Sequence, residues 1–300
     1  MAASLDARGR LGQRLLVAPA LLVLVVFMVG PLLLMGYVSL LEKGTYGGVQ
    51  WDVFSGEAYV RFLFERDFDD TLLFNPDYLR IFARSLGLAL WTTALALAVG
   101  LPTALYIAMQ PPARRNLLVF LVTIPFWTNL LVRNYAWILL LRNNGLLDGL
   151  LRWMGVTDGP LGILYTDTAV AIGLVYSFLP FMVLPIYTSL EKMDFRLVEA
   201  AYDLYAGKWQ ALRRIVLPLA APGIAAGCVL VFIPCLGAYV TPELLGGGKA
   251  LLIGNLIQGQ FGVARNWPFG AALAFALLAI VLLVMMVYTL RFKRPAEGGR

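Results

Sequence analysis

This chain has few tools for bond chemistry. Its 300 residues include no histidine, which removes Ser-His-Asp and Cys-His catalysis and every His-ligated metal site. The two cysteines, Cys228 and Cys235, lie seven residues apart in one apolar segment. On a helix that spacing separates them by about 10 Å along the axis, too far for a disulfide, so both read as small buried hydrophobes. A phosphate loop of the form G-x-x-x-x-G-K-[ST] is also missing. GGGKA at 246–250 has Glu243 where the leading glycine would stand, and no hydroxyl residue follows its lysine. No catalytic residue, metal site or nucleotide site is therefore expected in this chain. A charged, helix-prone segment, EAAYDLYAGKWQALRRIVLP at 199–218, carries Glu199, Asp203, Lys208, Arg213 and Arg214 between two apolar runs. Such a segment is suited to contact with a partner protein or with lipid headgroups.

The elements around it are set by composition. With 60% hydrophobic and 14% charged residues, the chain has too little charge to cover a soluble domain, and an all-α polytopic membrane protein is expected. The net charge of +6 is dispersed among apolar spans and forms no basic stripe, which argues against nucleic acid as a partner. Six segments are long and apolar enough to cross a bilayer: about 15–41, 85–109, 117–133, 168–190, 217–240 and 269–290. The first follows Arg8, Arg10 and Arg14, but its apolar run is too long for a signal peptide and no small-residue cleavage site follows, so it reads as a retained helix. With both tails (1–14 and 293–300) cytoplasmic, the inside segments, counted with Arg291 at the end of the last span, hold 14 basic and 6 acidic residues, and the outside segments 10 basic and 12 acidic. The positive-inside rule selects that orientation.

Three further regions carry expectations. WILLLRNNGLLDGLLRWMG (137–155) is interrupted by Arg142, Asp148 and Arg152 and is expected to form short helices at the outer surface, since an unpaired charge at mid-bilayer costs several kcal/mol. The outer loop 42–84 is acidic and aromatic and is expected to fold as short helices. Pro102, Pro125, Pro180, Pro185, Pro222 and Pro234 fall inside spans, where each removes a backbone donor and can bend or open its helix.

The inner segment 191–216 is rich in good helix formers. Val198, Ala201, Tyr202 and Tyr205 follow i, i+3, i+4, i+7 spacing, and Trp209, Leu212 and Ile215 repeat it. Two short helices across the inner surface are expected, with Pro218 in the first turn of the fifth span.

Here the sequence resembles a family. The run EAA, three residues, a small residue, nine residues, then I-x-L-P is the signature loop of bacterial ABC-importer permeases. Glu199, Ala200, Ala201, Ile215, Leu217 and Pro218 match it in identity and spacing. The resemblance extends from about residue 15 to 292 and implies the type I importer permease fold with a transmembrane domain over 15–292. It also implies that 191–216 is a coupling loop docked on a homodimeric ATPase, which binds the ATP and Mg. Asp203, Tyr205, Gly207 and Arg213 fall within that loop. Tyr205 departs from the pattern, which usually has glycine. Either its turn moves to Gly207, or its ring enters the interface.

PFWTNLLVRNYAW (125–137), GLVYSFLPFMVLPIYTSLEKMD (173–194), TPELLGGGKALLIGNLI (241–257) and NWPFGAA (266–272) are similar to the first permease of spermidine/putrescine importers. That resemblance implies a second homologous permease, a periplasmic binding protein and a multi-pass inner-membrane location. Ammonium groups are favoured by carboxylates and aromatic faces; Trp127, Asn129, Tyr135, Trp137, Tyr239 and Glu243 are the candidates for a polyamine path. Each aromatic has a rival role as an interfacial belt residue, and Glu243 one as a binding-protein contact. Arg133 is expected to pair with a carboxylate or face a docking partner. Permeases for ferric iron, thiamine, sulfate or phosphate are the nearest rivals. A secondary transporter would need ionisable residues within its spans, and these have almost none.

Overall fold

The structure is a computed structural model that describes residues 18–66, 71–157, 159–249 and 251–292. The basic residues Arg8, Arg10 and Arg14, and the tail 293–300, lie outside the described residues. In chain order the elements are α1 (Ala18–Ser39), β1 (Leu41–Lys43), β2 (Val49–Phe54), α2 (Glu57–Val60), β3 (Phe64–Arg66), β4 (Leu72–Phe74), α3 (Asp77–Ala108), α4 (Pro112–Trp127), α5 (Leu130–Leu141), α6 (Leu146–Trp153), α7 (Asp167–Glu191) and α8 (Arg196–Asp203). There follow α9 (Lys208–Gly237), α10 (Val240–Gly246), α11 (Ile253–Phe261) and α12 (Trp267–Phe292). Five of these, α1, α3, α7, α9 and α12, are single helices long and apolar enough to cross a membrane. Taken together as one broken span, α4 with the following helices makes a sixth.

The larger compact unit comprises the described residues within 77–256 and 277–292. Its core is α3, α7 and α9 packed on one another. Met182, fully buried on α7, sits where α3 and α9 both present glycine. A Cβ at Gly100 would lie 2.7 Å from its Cγ, and one at Gly227 2.9 Å from its Sδ. Small residues thus let three backbones close on one flexible side chain, which fills the gap. Both ends of α7 are tied to neighbours by ion pairs. Arg84 of α3 donates to Asp167 at 2.8 Å, and Arg115 of α4 to Glu191 at 3.2 Å.

All six span prolines lie inside helices: Pro102 in α3, Pro125 in α4, Pro180 and Pro185 in α7, Pro222 and Pro234 in α9. The clearest signature of proline lies elsewhere. Stretches of π-helix occur at Val25–Val29 and Leu212–Val216, each ending two residues before a proline, Pro31 and Pro218. A proline lacks the N–H for the i→i−4 bond, and its ring crowds the carbonyl four residues back. The preceding turn widens, with Gly30 N–H bonding Val25 O and Leu217 N–H bonding Leu212 O.

Two expectations are corrected. The third span does not run to 133: α4 ends at Trp127, and the chain bends by 93° before α5. Residues 42–84 are also more extended than expected. β1 pairs antiparallel with β2, and β3 with β4, while residues 77–84 belong to α3. The hairpin signal was present in GTYGGVQWDVF, where Gly47 and Gly48 take φ of 91° and 82° ahead of a β-branched and aromatic run.

The smaller unit comprises the described residues within 18–76 and 257–276. Within it Gly48 N–H donates to Arg265 O at 2.7 Å, the Tyr59 and Ser39 hydroxyls bond at 2.8 Å, and the Arg61 guanidinium covers the Phe269 ring at 5.5 Å.

Candidate functional site

The charged segment forms a helix, a tight turn and a second helix. Asp194 starts it by accepting the Arg196 N–H at 3.0 Å, and α8 then runs from Arg196 to Asp203. Its end is a Schellman closure: Tyr205 N–H bonds Tyr202 O at 2.9 Å and Ala206 N–H bonds Ala201 O at 3.0 Å. The residue at the turn is Tyr205 itself, with φ of 60°. Gly207 is extended at φ −70°, ψ 160°, so the turn has not moved to it. Left-handed backbone is what makes glycine usual at such a position. Tyr205 adopts it against a penalty of roughly 1–2 kcal/mol.

This geometry changes the expected faces. Tyr205 is outside α8 and does not continue the row Val198, Ala201, Tyr202; its ring is 97% exposed. The second short helix is likewise not separate. From Lys208 the chain passes through the π stretch into α9 as one 30-residue apolar helix, so Pro218 follows an existing helix and does not open a new one. Gln210 Oε1 accepts the Gly207 N–H at 3.1 Å and fixes its start. Glu199, Ala200, Asp203, Gly207, Arg213 and Pro218 are exposed, while Ala201, Ile215 and Leu217 are half-buried. Tyr205, Leu204 and Trp209 add a large exposed apolar surface. At the α7 end of the segment, Glu191 Oε1 accepts from both Tyr187 Oη at 2.8 Å and Arg115.

The second group of residues surrounds the bend. Thr128 and Asn129 are extended, and Asn129 caps α5 by accepting the Leu131 N–H at 2.8 Å, a role for which asparagine is well suited. The Pro125 carbonyl, which a continuing helix would pair with the amide of Asn129, accepts instead from Thr128 Oγ1 at 2.7 Å and Arg133 Nη1 at 2.9 Å. Arg133 therefore closes the end of α4 and does not pair with a carboxylate there.

The path candidates fall into two sets. Trp127 and Asn129 sit at the bend, with Trp127 81% exposed. Tyr135 and Trp137 lie on α5, and Tyr239 and Glu243 at the start of α10, which packs on α5 and α7. Tyr135, Tyr239 and Glu243 are exposed, whereas Trp137 is half-buried with its ring edge-on to Tyr176 at 5.5 Å. Glu243 Oε2 accepts from Asn255 Nδ2 at 2.8 Å. The sequence reading missed Asn255, Tyr176 and the Arg115–Glu191–Tyr187 group; of these, only the i, i+4 spacing of Tyr187 and Glu191 was a readable local signal. Among the described residues, no group of three or more Asp, Glu or Cys side chains is placed to hold a metal ion.

Comparison with known proteins adds to this geometry. Residues 81–295 match the sequence profile of the binding-protein-dependent transport system inner membrane component. The spermidine/putrescine transport system permease protein PotB of Escherichia coli (strain K12) is 46% identical over 231 residues, 77% of this chain and 84% of that protein. The protein of the same name from Haemophilus influenzae is 46% identical over 218 residues, 73% and 76% of the two chains. Among solved structures, a chain of the bacterial alginate ABC transporter in complex with alginate pentasaccharide-bound periplasmic protein has a TM-score of 0.72 at 17% identity and covers 98% of both chains. That is a likeness of fold.

Proposed function

The chain belongs to the binding-protein-dependent transport system inner membrane components, and from that premise we propose that it forms, with a second permease, a path for polyamines such as spermidine and putrescine. The relatives named for those substrates support the assignment. So do the exposed aromatic and carboxylate groups on α5 and α10, which suit ammonium groups on an aliphatic stem. A periplasmic binding protein delivers the polyamine, a homodimeric ATPase binds ATP and Mg, and both tails of this chain lie in the cytoplasm.

One observation carries the mechanism. The exposed segment that matches the signature loop is continuous with a span, because Lys208–Gly237 is a single helix. Closure of the ATPase dimer against Glu199, Asp203 and Arg213 displaces α8 and the start of α9. A helix that continues unbroken through its π stretch carries that displacement into the span. The Arg115–Glu191 pair links the same end of α7 to α4, so the span that ends at the bend follows. Rocking of the two permeases then exposes the path first outward and then inward.

The test is uptake of labelled putrescine and spermidine by the complex reconstituted with its partners in liposomes. ATP-dependent uptake displaced by either unlabelled polyamine is the expected result. Uptake that only ferric iron, thiamine, sulfate or phosphate displaced would overturn the substrate while leaving the permease assignment intact.

A further inference from the structure

The stretch IGNLI (253–257) has no part in the coupling loop or among the path candidates, yet it is anchored more firmly than its sequence implies. Ile253 N–H donates to Ser85 Oγ of α3 at 2.9 Å, in a buried bond. A Cβ at Gly254 would lie 2.5 Å from Ala238 O and 2.9 Å from Gly237 O. Only glycine lets the start of α11 come this close to the end of α9. Asn255, 9% exposed, directly follows these two anchors. Its single Nδ2 donates twice, to Tyr239 O at 3.1 Å and to Glu243 Oε2 at 2.8 Å. Its Oδ1 is buried with no donor. An asparagine that leaves its own carbonyl unpaired so that its amide can serve two acceptors is a poor choice for stability alone.

We propose that Asn255 is a positioning residue for the polyamine path, which orients the Glu243 carboxylate by holding Oε2 and leaving Oε1 for a substrate ammonium. This rests on the assignment of Glu243 to that path. A free glutamate side chain on a surface helix samples several rotamers. A charge-assisted bond to one oxygen restricts them and presents the other oxygen in a fixed direction. The same amide holds the Tyr239 carbonyl, so the backbone at the start of α10 and the Glu243 carboxylate are tied to one buried group.

The experiment compares Asn255→Leu, Asn255→Ser, Glu243→Gln and the double variant Asn255→Leu/Glu243→Gln in proteoliposomes with saturating polyamine-loaded binding protein. Polyamine transported per ATP hydrolysed is read for each. Loss of orientation at Glu243 is expected to lower that ratio roughly tenfold in Asn255→Leu, the size of one charge-assisted bond. The double variant should be no worse than Glu243→Gln, because both act through the same carboxylate. Effects that multiply in the double variant, or a ratio unchanged in Asn255→Leu while Glu243→Gln lowers it, would overturn the proposal and leave Glu243 in the path. An unchanged ratio in Glu243→Gln removes Glu243 from the path, and the role of Asn255 with it. If Asn255→Leu does not assemble, Asn255→Ser decides by the same ratio. If neither assembles, Asn255 is a packing residue and the proposal fails.

Discussion

The helical order of this chain is interrupted twice near residues that matter, and the two interruptions are built differently. At 204–207 the break closes on itself. Two backbone bonds within six residues complete the turn, Gln210 fixes the next helix, and the residue at the apex is a tyrosine where glycine is usual. At 128–129 the break depends on reach. Its orphaned Pro125 carbonyl is satisfied by a threonine hydroxyl and by an arginine eight residues on, and the chain leaves at 93°. A turn closed by its own backbone tolerates a poor residue. A bend closed by one long side chain depends on that side chain. The first interruption sits where a partner is expected to push, the second where the substrate is expected to pass.

The largest effect should come from the surface at the first interruption. Glu199→Lys reverses an exposed charge on α8 without touching the turn. A misplaced charge at a protein interface costs about 2–5 kcal/mol, so ATP-dependent uptake should fall more than about tenfold while the protein still reaches the membrane. Normal uptake by that variant would remove the coupling role from this surface. It would leave the two interruptions with no functional contrast.

Next comes the bend. Arg133→Met keeps length and packing but leaves the Pro125 carbonyl to Thr128 alone. A bond to a charged group contributes about 1.5–3 kcal/mol, so the purified complex should melt a few degrees lower, with Arg133→Lys in between. An unchanged melting temperature with Arg133→Met would show that the hydroxyl suffices, and the contrast between local and long-range closure would fail.

How legible these regions were follows the same division. The spacing from Glu199 to Pro218 carried the resemblance to the signature loop because its elements are local and periodic. The departure at Tyr205 was visible, but not its consequence, since left-handed geometry depends on where α8 ends. The bend was half legible. Pro125 and Asn129 stood in the sequence as a breaker and a cap, but an apolar run through Leu131 and Val132 argued for a continuing span. Arg133 looked like a misplaced cation because its partner is a backbone carbonyl, which no composition rule reveals. The strands in 41–74 were missed because aromatic and acidic residues were read for helical spacing past a Gly-Gly turn. Asn255 gave no signal, since its partners Tyr239 and Glu243 lie twelve or more residues away.

A smaller effect tests the turn itself. Tyr205→Gly removes the Cβ penalty of the left-handed backbone and should stabilise the loop by up to about 1 kcal/mol. Tyr205→Val, β-branched, should destabilise it. Hydrogen exchange of the Ala206 amide, which bonds Ala201 O, reads both. If Tyr205→Gly instead lowers uptake several-fold with slower exchange, the exposed ring contributes to docking beyond its place in the turn.

The smallest effect concerns the link between the two regions. Arg115 of α4 and Glu191 at the end of α7 form the ion pair that joins the α7 end of the segment proposed to couple to the helix leading to the bend. Their side chains are 22% and 44% exposed, so solvent screens the pair and its net contribution should be about 0.5 kcal/mol. Arg115→Gln and Glu191→Gln should each change the melting temperature by no more than a degree or two, and a double-mutant cycle should return a coupling of that order. Tyr187→Phe is the sharper control, because Tyr187 Oη shares the same Glu191 oxygen and its loss frees that oxygen for Arg115 alone. If the pair only stabilises, uptake per ATP hydrolysed is unchanged in all three variants. If it transmits the push on the coupling segment to α4, that ratio falls in Arg115→Gln and Glu191→Gln while Tyr187→Phe keeps it. The difference between a weak bond and a mechanically placed one then appears in coupling and not in stability.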